Sequence, residues 1–150
     1  MLEITSIKNG LVIDHIKAGM GVKIFNYLNL DKVDNQVALI INAESKKNKR
    51  KDIIKIEDLT EVNYTVLALL SPGITINVIK EEQIIEKIKP ELPKEVTGIL
   101  KCQNARCITS QEKYLPHTFE LLDRDKDSYK CIYCDTIINP SEVENNETIN

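Results

Sequence analysis

The chain has no tryptophan, and its aromatic residues are two phenylalanines and five tyrosines among 150 residues. No apolar run reaches the roughly 18 residues that a membrane-spanning helix needs. The opening MLEITSIKNG has neither the basic start nor the apolar stretch of a secretory signal. Neither a GxGxxG nor a Walker loop occurs, so any nucleotide would be held without phosphate-cradling glycines. Histidine is confined to His15 and His117, and no serine or cysteine forms a nucleophile pair with either, which removes support for a hydrolase. No cysteine precedes Cys102. These absences make a cytoplasmic chain, off the membrane, the expectation.

Hydrophobic residues at 42% and charged residues at 29% give a folded chain rather than a disordered one. The order of patterns predicts an α+β fold. EITSIKNGLVIDHI reads as two extended runs about Asn9-Gly10, a pair suited to a tight hairpin turn. AGMGVKIFNYLNL places Met20, Ile24, Phe25 and Leu28 at helical spacing. QVALIINA and KDIIKIED are strands joined by the polar loop ESKKNKRK. LTEVNYTVLALLSP is a second helix with Thr60 as a candidate cap and Ser71-Pro72-Gly73 as its end, followed by strands in ITINVIK and EQIIEKI. Helices on one face of a mainly antiparallel sheet make this region ferredoxin-like in outline. Two prolines in KPELPKEV then interrupt every periodicity, so a first domain is expected over residues 1–95 and a second, β-rich one over 96–150. The tail from about residue 141 is polar and expected to fray.

The cysteines follow a C-x4-C and C-x2-C pattern: Cys102, Cys107, Cys131 and Cys134. Disulfides are rare in the cytosol, whereas two close pairs of thiolates brought together by a small sheet can fill the tetrahedral sphere of one zinc ion. Four thiolates leave no open position for substrate or water, so such a site is structural. Buried free thiols, a redox pair at Cys131 and Cys134, and a rubredoxin-like iron site are the alternatives. Residues 1–95 carry 14 Lys+Arg against 14 Asp+Glu, and residues 96–150 carry 6 against 9, so the cysteine segment lacks the basic footprint of a nucleic-acid finger. The KKNKRK run is simplest as a solvated loop, with a nucleic-acid contact as the alternative.

In the first domain, strict alternation sends Asp14 and His15 to opposite faces and argues against a hydrogen-bonded dyad. His117 follows Pro116 and reads as a solvated loop residue. Lys55, inside DIIKIE, and Lys87, inside IIEKIKP, share strands with apolar neighbours. They either snorkel from a sheet edge or converge on a polyphosphate.

Taken together, NGLVIDHI, RKDIIKIE, TINVIKEEQIIEKIKPELP and the cysteine spacing resemble the regulatory chain of aspartate carbamoyltransferase, from about residue 2 to about residue 140. The resemblance implies an N-terminal allosteric domain that binds CTP or ATP and pairs with its copy in a homodimer. It further implies a C-terminal zinc domain that grips the catalytic chain, a role in pyrimidine biosynthesis, and no catalytic residue here. Carried over by position, Asp14 and His15 would approach the base and sugar, and Lys55 and Lys87 the ribose and phosphates. Asn77, Ile79 and Ile84 would line the pocket with Ile7, Val12 and Ile53. For Asp14 and His15 both to face ligand, the strand must end or bend there. Glu82 stands where family members can carry an aromatic residue against the base, so CTP-versus-ATP preference is open. Asn104, Arg106 and Asp135 would touch the catalytic chain, and KPELPKEV would carry the coupling between sites.

Overall fold

Branched and other apolar residues recur at every second position in VALIINA, DIIKIE and TINVIK. Each stretch therefore has an apolar face, and pairing the stretches side by side gathers those faces on one surface. The computed structural model describes residues 6–45, 49–59 and 62–140, and divides into two compact units between Pro90 and Glu91.

The first unit runs β1 (Gly10–Lys17), α1 (Gly21–Tyr27), β2 (Val37–Ser45), β3 (Lys49–Glu57), α2 (Tyr64–Leu70), β4 (Thr75–Lys80) and β5 (Gln83–Ile88). Its sheet has the order β2-β3-β1-β4-β5 with every neighbouring pair antiparallel. That is the β-α-β-β-α-β ferredoxin-like arrangement with one strand added outside β4. Leu11, Ile13, Ile54, Ile56 and Ile76 from the sheet and Ile24, Leu67 and Leu69 from the helices are at most 1% exposed. Each such side chain contributes on the order of 2 kcal/mol by leaving water, so this one face defines the core.

Several local expectations change. Asn9-Gly10 makes no hairpin turn: Gly10 opens β1, lying between Glu57 of β3 and Ile79 of β4. The Asn9 carbonyl accepts the Asp58 amide at 2.8 Å and its side chain accepts the Glu81 amide at 3.1 Å. Glycine is needed at position 10 because its φ is 147° and a Cβ there would lie 2.1 Å from the Ile56 carbonyl oxygen. The strand expected before it, EITSI, lies mostly outside the described residues. Thr60 also lies outside them, and α2 begins instead at Tyr64, where Asn63 is the cap: its Oδ1 accepts the Val66 amide at 3.2 Å. The helix ends at Ser71, before Pro72-Gly73, as read. The loop expected over ESKKNKRK is shorter, because β2 reaches Ser45 and β3 resumes at Lys49. Lys46, Lys47 and Asn48 are outside the described residues, as is the tail from residue 141.

The second unit contains β6 (Glu95–Thr97), α3 (Ile108–Gln111), β7 (Thr118–Asp123), β8 (Ser128–Cys131) and β9 (Ile137–Ile138), with sheet order β6-β7-β8-β9. The one-turn helix α3 stands where only extended pieces were expected. Leu100, Phe119 and Tyr129 are fully buried and Val96 and Ile138 nearly so. The Tyr129 hydroxyl donates to the Pro93 carbonyl at 2.7 Å, and Arg124 donates to the Leu92 carbonyl at 3.0 Å. Among the described residues these buried side chains and Leu92 make a small core, below what usually holds a fold without a staple.

Candidate metal centre and sheet-face site

Cys102 lies in a loop and Cys107 caps α3, while Cys131 ends β8 and Cys134 follows in the next turn. All four are free thiols, and their Sγ atoms lie within 4.8 Å of one another. The approaches run across the two pairs: Cys102 to Cys134 at 3.6 Å and Cys107 to Cys131 at 3.7 Å. A metal with bonds of about 2.3 Å to four sulfurs has tetrahedral edges of about 3.8 Å, so the four thiols fit such an ion. Cys131 and Cys134 are therefore not an isolated redox pair.

Backbone hydrogen bonds shape both turns. The Asn104 carbonyl accepts the Cys107 amide at 3.0 Å and the Ser110 hydroxyl at 2.8 Å, and its Oδ1 accepts the Arg106 amide at 3.0 Å. The Cys131 carbonyl accepts the amide of Asp135, at φ 63°, over 2.9 Å. Thr109 and Thr136 place hydroxyls 3.0 and 3.1 Å from Cys107 and Cys134, where they support the sulfurs. Burial pushes the Cys102 thiol up to about 12 and raises that of Cys131. Burial opposes ionisation of Cys134 too, but hydrogen bonds from Thr136 and Asn104 bring it down to about 6. Metal binding to this cluster must therefore expel protons from Cys102 and Cys131.

His117 is no solvated loop residue: its Nδ1 accepts the Cys102 amide at 3.0 Å. Burial first, and the charge of Lys101 second, lower its pKa below the usual 6.5. The unfolded chain binds this proton more readily, so the contribution is present above pH 6.5 and lost as pH falls below it. In urea titrations of the metal-loaded chain between pH 7.5 and 5.5, His117→Asn, which keeps an acceptor and cannot titrate, should lose less stability than the parent. Equal slopes would contradict the assignment.

In the first unit, one register row crosses the whole sheet: Ala38, Lys55, Val12, Asn77 and Lys87 stand opposite one another on β2, β3, β1, β4 and β5. Two-residue spacing puts Ile53 and Ile79 on this same face, away from the core, and Ile84 pairs with Ile79. Asn77 is only 9% exposed and its Oδ1 has no partner, while Ile84 is 58% exposed. Ile7 is half-buried in the segment ahead of β1.

Alternation does not hold at Asp14 and His15. β1 pairs Ile13 with Ile54 and then Ile16 with Asp52, so Asp14 and His15 together oppose one residue of β3. This is a β-bulge, with His15 at φ 57°. The strand bends where two ligand-facing residues would need it to. Asp14 and His15 are linked, though not as a side-chain dyad: the carboxylate accepts the His15 amide at 2.6 Å and pairs with Lys51 Nζ at 2.9 Å. Burial works against the Asp14 charge, yet Lys51 and the His15 amide outweigh it and hold the pKa below its usual value. His15 Nδ1 is buried without a partner.

Beside the bulge is a cavity of about 560 Å³ whose lining includes His15, Gly73, Thr75, Lys87 and Lys89 and no carboxylate. Of the predicted set it gathers His15 and Lys87, while the other members occupy the adjoining sheet face or its margin. Lys51 and Lys89 were missed. Period-two spacing from Lys55 through Ile53 would have placed Lys51 on that face, whereas Lys89 lies beyond the end of β5 and carried no such signal. Glu81 and Glu82 close the β4–β5 hairpin at φ 52° and 66°, a conformation that favours Asn and Gly. The Lys8 carbonyl accepts the Glu82 amide at 2.9 Å and helps hold that turn.

Of the expected contact residues in the second unit, Arg106 and Asp135 are exposed and Asn104 is half-buried, already engaged in shaping its turn. Exposed Ile108, Ile132, Tyr133 and Ile137 belong to the same segments.

The model of the aspartate carbamoyltransferase regulatory chain, allosteric domain, matches residues 2–91, and that of the same chain's metal binding domain matches residues 94–144. The chain belongs to this regulatory-chain family. An aspartate carbamoyltransferase regulatory chain of Clostridium acetobutylicum is 58% identical over 137 residues, covering 91% of this chain and 94% of its own length. One from Clostridium tetani is 58% identical over 138 residues, covering 91% and 96%, and one from Bifidobacterium longum is 40% identical over 134 residues, covering 89% and 96%. The regulatory chain is a non-catalytic subunit, and its metal-binding domain contains the four-cysteine cluster. Among the described residues no helix is long and apolar enough to cross a membrane.

Proposed function

We propose that this regulatory chain binds CTP and ATP on the sheet face and bulge of its first unit, and holds one zinc ion in its second. The observation that carries the nucleotide reading is chemical. Asn77 Oδ1 and His15 Nδ1 are buried polar atoms without partners, a state that costs about 1–3 kcal/mol unless something arrives to satisfy them. His15 lines a carboxylate-free cavity with Lys87 and Lys89, and Asn77 stands opposite Lys87 on the adjoining sheet face, which suits a polyphosphate. Asp14, Lys55, Val12, Ile53, Ile79, Ile84 and Ile7 complete the assigned site.

When bound, zinc would tie the two cysteine turns into one body. Arg106 and Asp135, with the exposed apolar residues beside them, would then meet the catalytic chain, and Asn104 would set the first turn. The first unit supplies an edge for a second copy: β2 is a nine-residue edge strand reading VALIINAES, with Ile41 51% exposed. The assembly works in the cytoplasm. A nucleotide regulates it by binding two quaternary states unequally, and coupling of about 1–3 kcal/mol is typical of such linkage.

Calorimetric titration of the zinc-loaded full chain with CTP and ATP tests the site. Lys55→Ala and Lys87→Ala should each weaken binding about tenfold or more, the loss of a charge-assisted contact. Unchanged tight binding in both variants would refute the assigned site.

A further inference from the structure

Asp52 is charged and completely buried, and no part of the nucleotide reading uses it. Its Oδ2 accepts the amides of Gly19 and Gly21 at 3.1 and 2.9 Å, and its Oδ1 accepts the amide of Asn42 at 3.1 Å. One carboxylate thus holds two separate segments, the turn leading into α1 and the middle of edge strand β2. Gly21 makes this possible, since a Cβ there would lie 2.7 Å from Oδ2.

The place where Asp52 acts is unusual. β2 pairs Ile40 with Ile53 and then Ala43 with Lys51, so Ile41 and Asn42 oppose Asp52 alone, with Asn42 at φ 62°. This second bulge lies across β3 from the bulge at Asp14 and His15. The first interrupts the ladder opposite Ile53 and the second opposite Asp52, one on each side of β3, and both contain a non-glycine residue in the left-handed region. Adjacent residues of β3 serve them: Lys51 pairs with Asp14, and Asp52 holds Asn42.

We propose that Asp52 is a positioning residue that couples the His15 bulge to the edge strand β2. A change at the Asp14–Lys51 pair shifts β3 at position 51. The carboxylate at position 52, fixed to three amides, carries that shift to Asn42 and to the turn before α1. Its regulatory meaning rests on the nucleotide reading, in which ligand meets His15; the physical coupling does not.

Amide hydrogen exchange on the full zinc-loaded chain tests this without ligand. Asp14→Ala, which frees Lys51, should speed exchange of the Asn42 amide at least threefold. With Asp52→Asn, the side-chain amide can no longer accept on both sides, and the same Asp14→Ala substitution should leave Asn42 unchanged. No response in the parent background, or an equal response with Asp52→Asn, overturns the proposal. Should Asp52→Asn not fold, the Asp14→Ala chain still decides: a shared carboxylate requires Gly19 and Gly21 to respond with Asn42, and a response at Asn42 alone overturns it. In a parallel arm, CTP should bind Asp52→Asn within threefold of the parent, while its effect on Asn42 exchange disappears. A persisting effect overturns the proposal. Failure of CTP to bind even the parent would remove the nucleotide reading and leave the ligand-free arm to judge Asp52.

Discussion

Stripping the metal from the full chain should unfold the second unit and leave the first standing. The reason is the size of the two cores. The first unit buries two helices against a five-stranded sheet, whereas the second has Phe119, Tyr129 and a few smaller side chains. Metal binding in small zinc modules supplies on the order of 10 kcal/mol, more than a domain of this size can otherwise spare. Chelation should therefore abolish amide protection in β7 and β8 while β1 and β3 keep theirs, and a complex with an aspartate carbamoyltransferase catalytic chain should dissociate. Cys107→Ser should do the same without chelator, because a fully buried sulfur facing Cys131 and Thr109 is lost. Metal analysis belongs to the same experiment: about one zinc per chain is expected, and iron would overturn the zinc assignment. Protection of β7 and β8 surviving complete metal removal would contradict the structural role.

Gly10→Ala should cost about 3 kcal/mol, the upper range for forcing an atom into a packed position. Two penalties act at once. The φ of 147° is one that residues with a Cβ rarely adopt, and the added carbon would collide with the Ile56 carbonyl oxygen. Relief requires β1 to move away from β3 at the centre of the sheet, breaking the register that aligns Val12, Lys55 and Asn77. Urea unfolding of the first unit should therefore show the loss, and nucleotide affinity should fall with it. Gly98 provides the comparison: its φ is 76° but nothing lies within 4 Å, so Gly98→Ala carries only the conformational cost of about 1 kcal/mol. Equal costs at the two positions would mean that close approach of the strands does not matter at Gly10.

Much of the first unit's architecture is legible in the sequence. Period-two runs of Ile and Val marked β2, β3 and β4, and the apolar TVLALL marked α2, because these signals depend only on neighbours along the chain. The four cysteines were visible from their spacing. Asn9-Gly10 misled because the same dipeptide serves a tight turn and a close strand approach, and only the partner strands distinguish them. Thr60 misled because Asn63, three residues on, is the stronger cap and stands nearer the apolar run.

The α+β class and the gathering of the four cysteines are written in the chain, since local periodicity and ligand spacing encode them directly. The bulge at His15, the acceptance of the Cys102 amide by His117, and the joining of three amides from two segments by Asp52 arise only when the chain folds. Each of those depends on which backbone groups are left unpaired when strands from distant parts of the chain meet. A buried N–H must find an acceptor wherever the fold strands it, and nothing along the chain announces which side chain will be there.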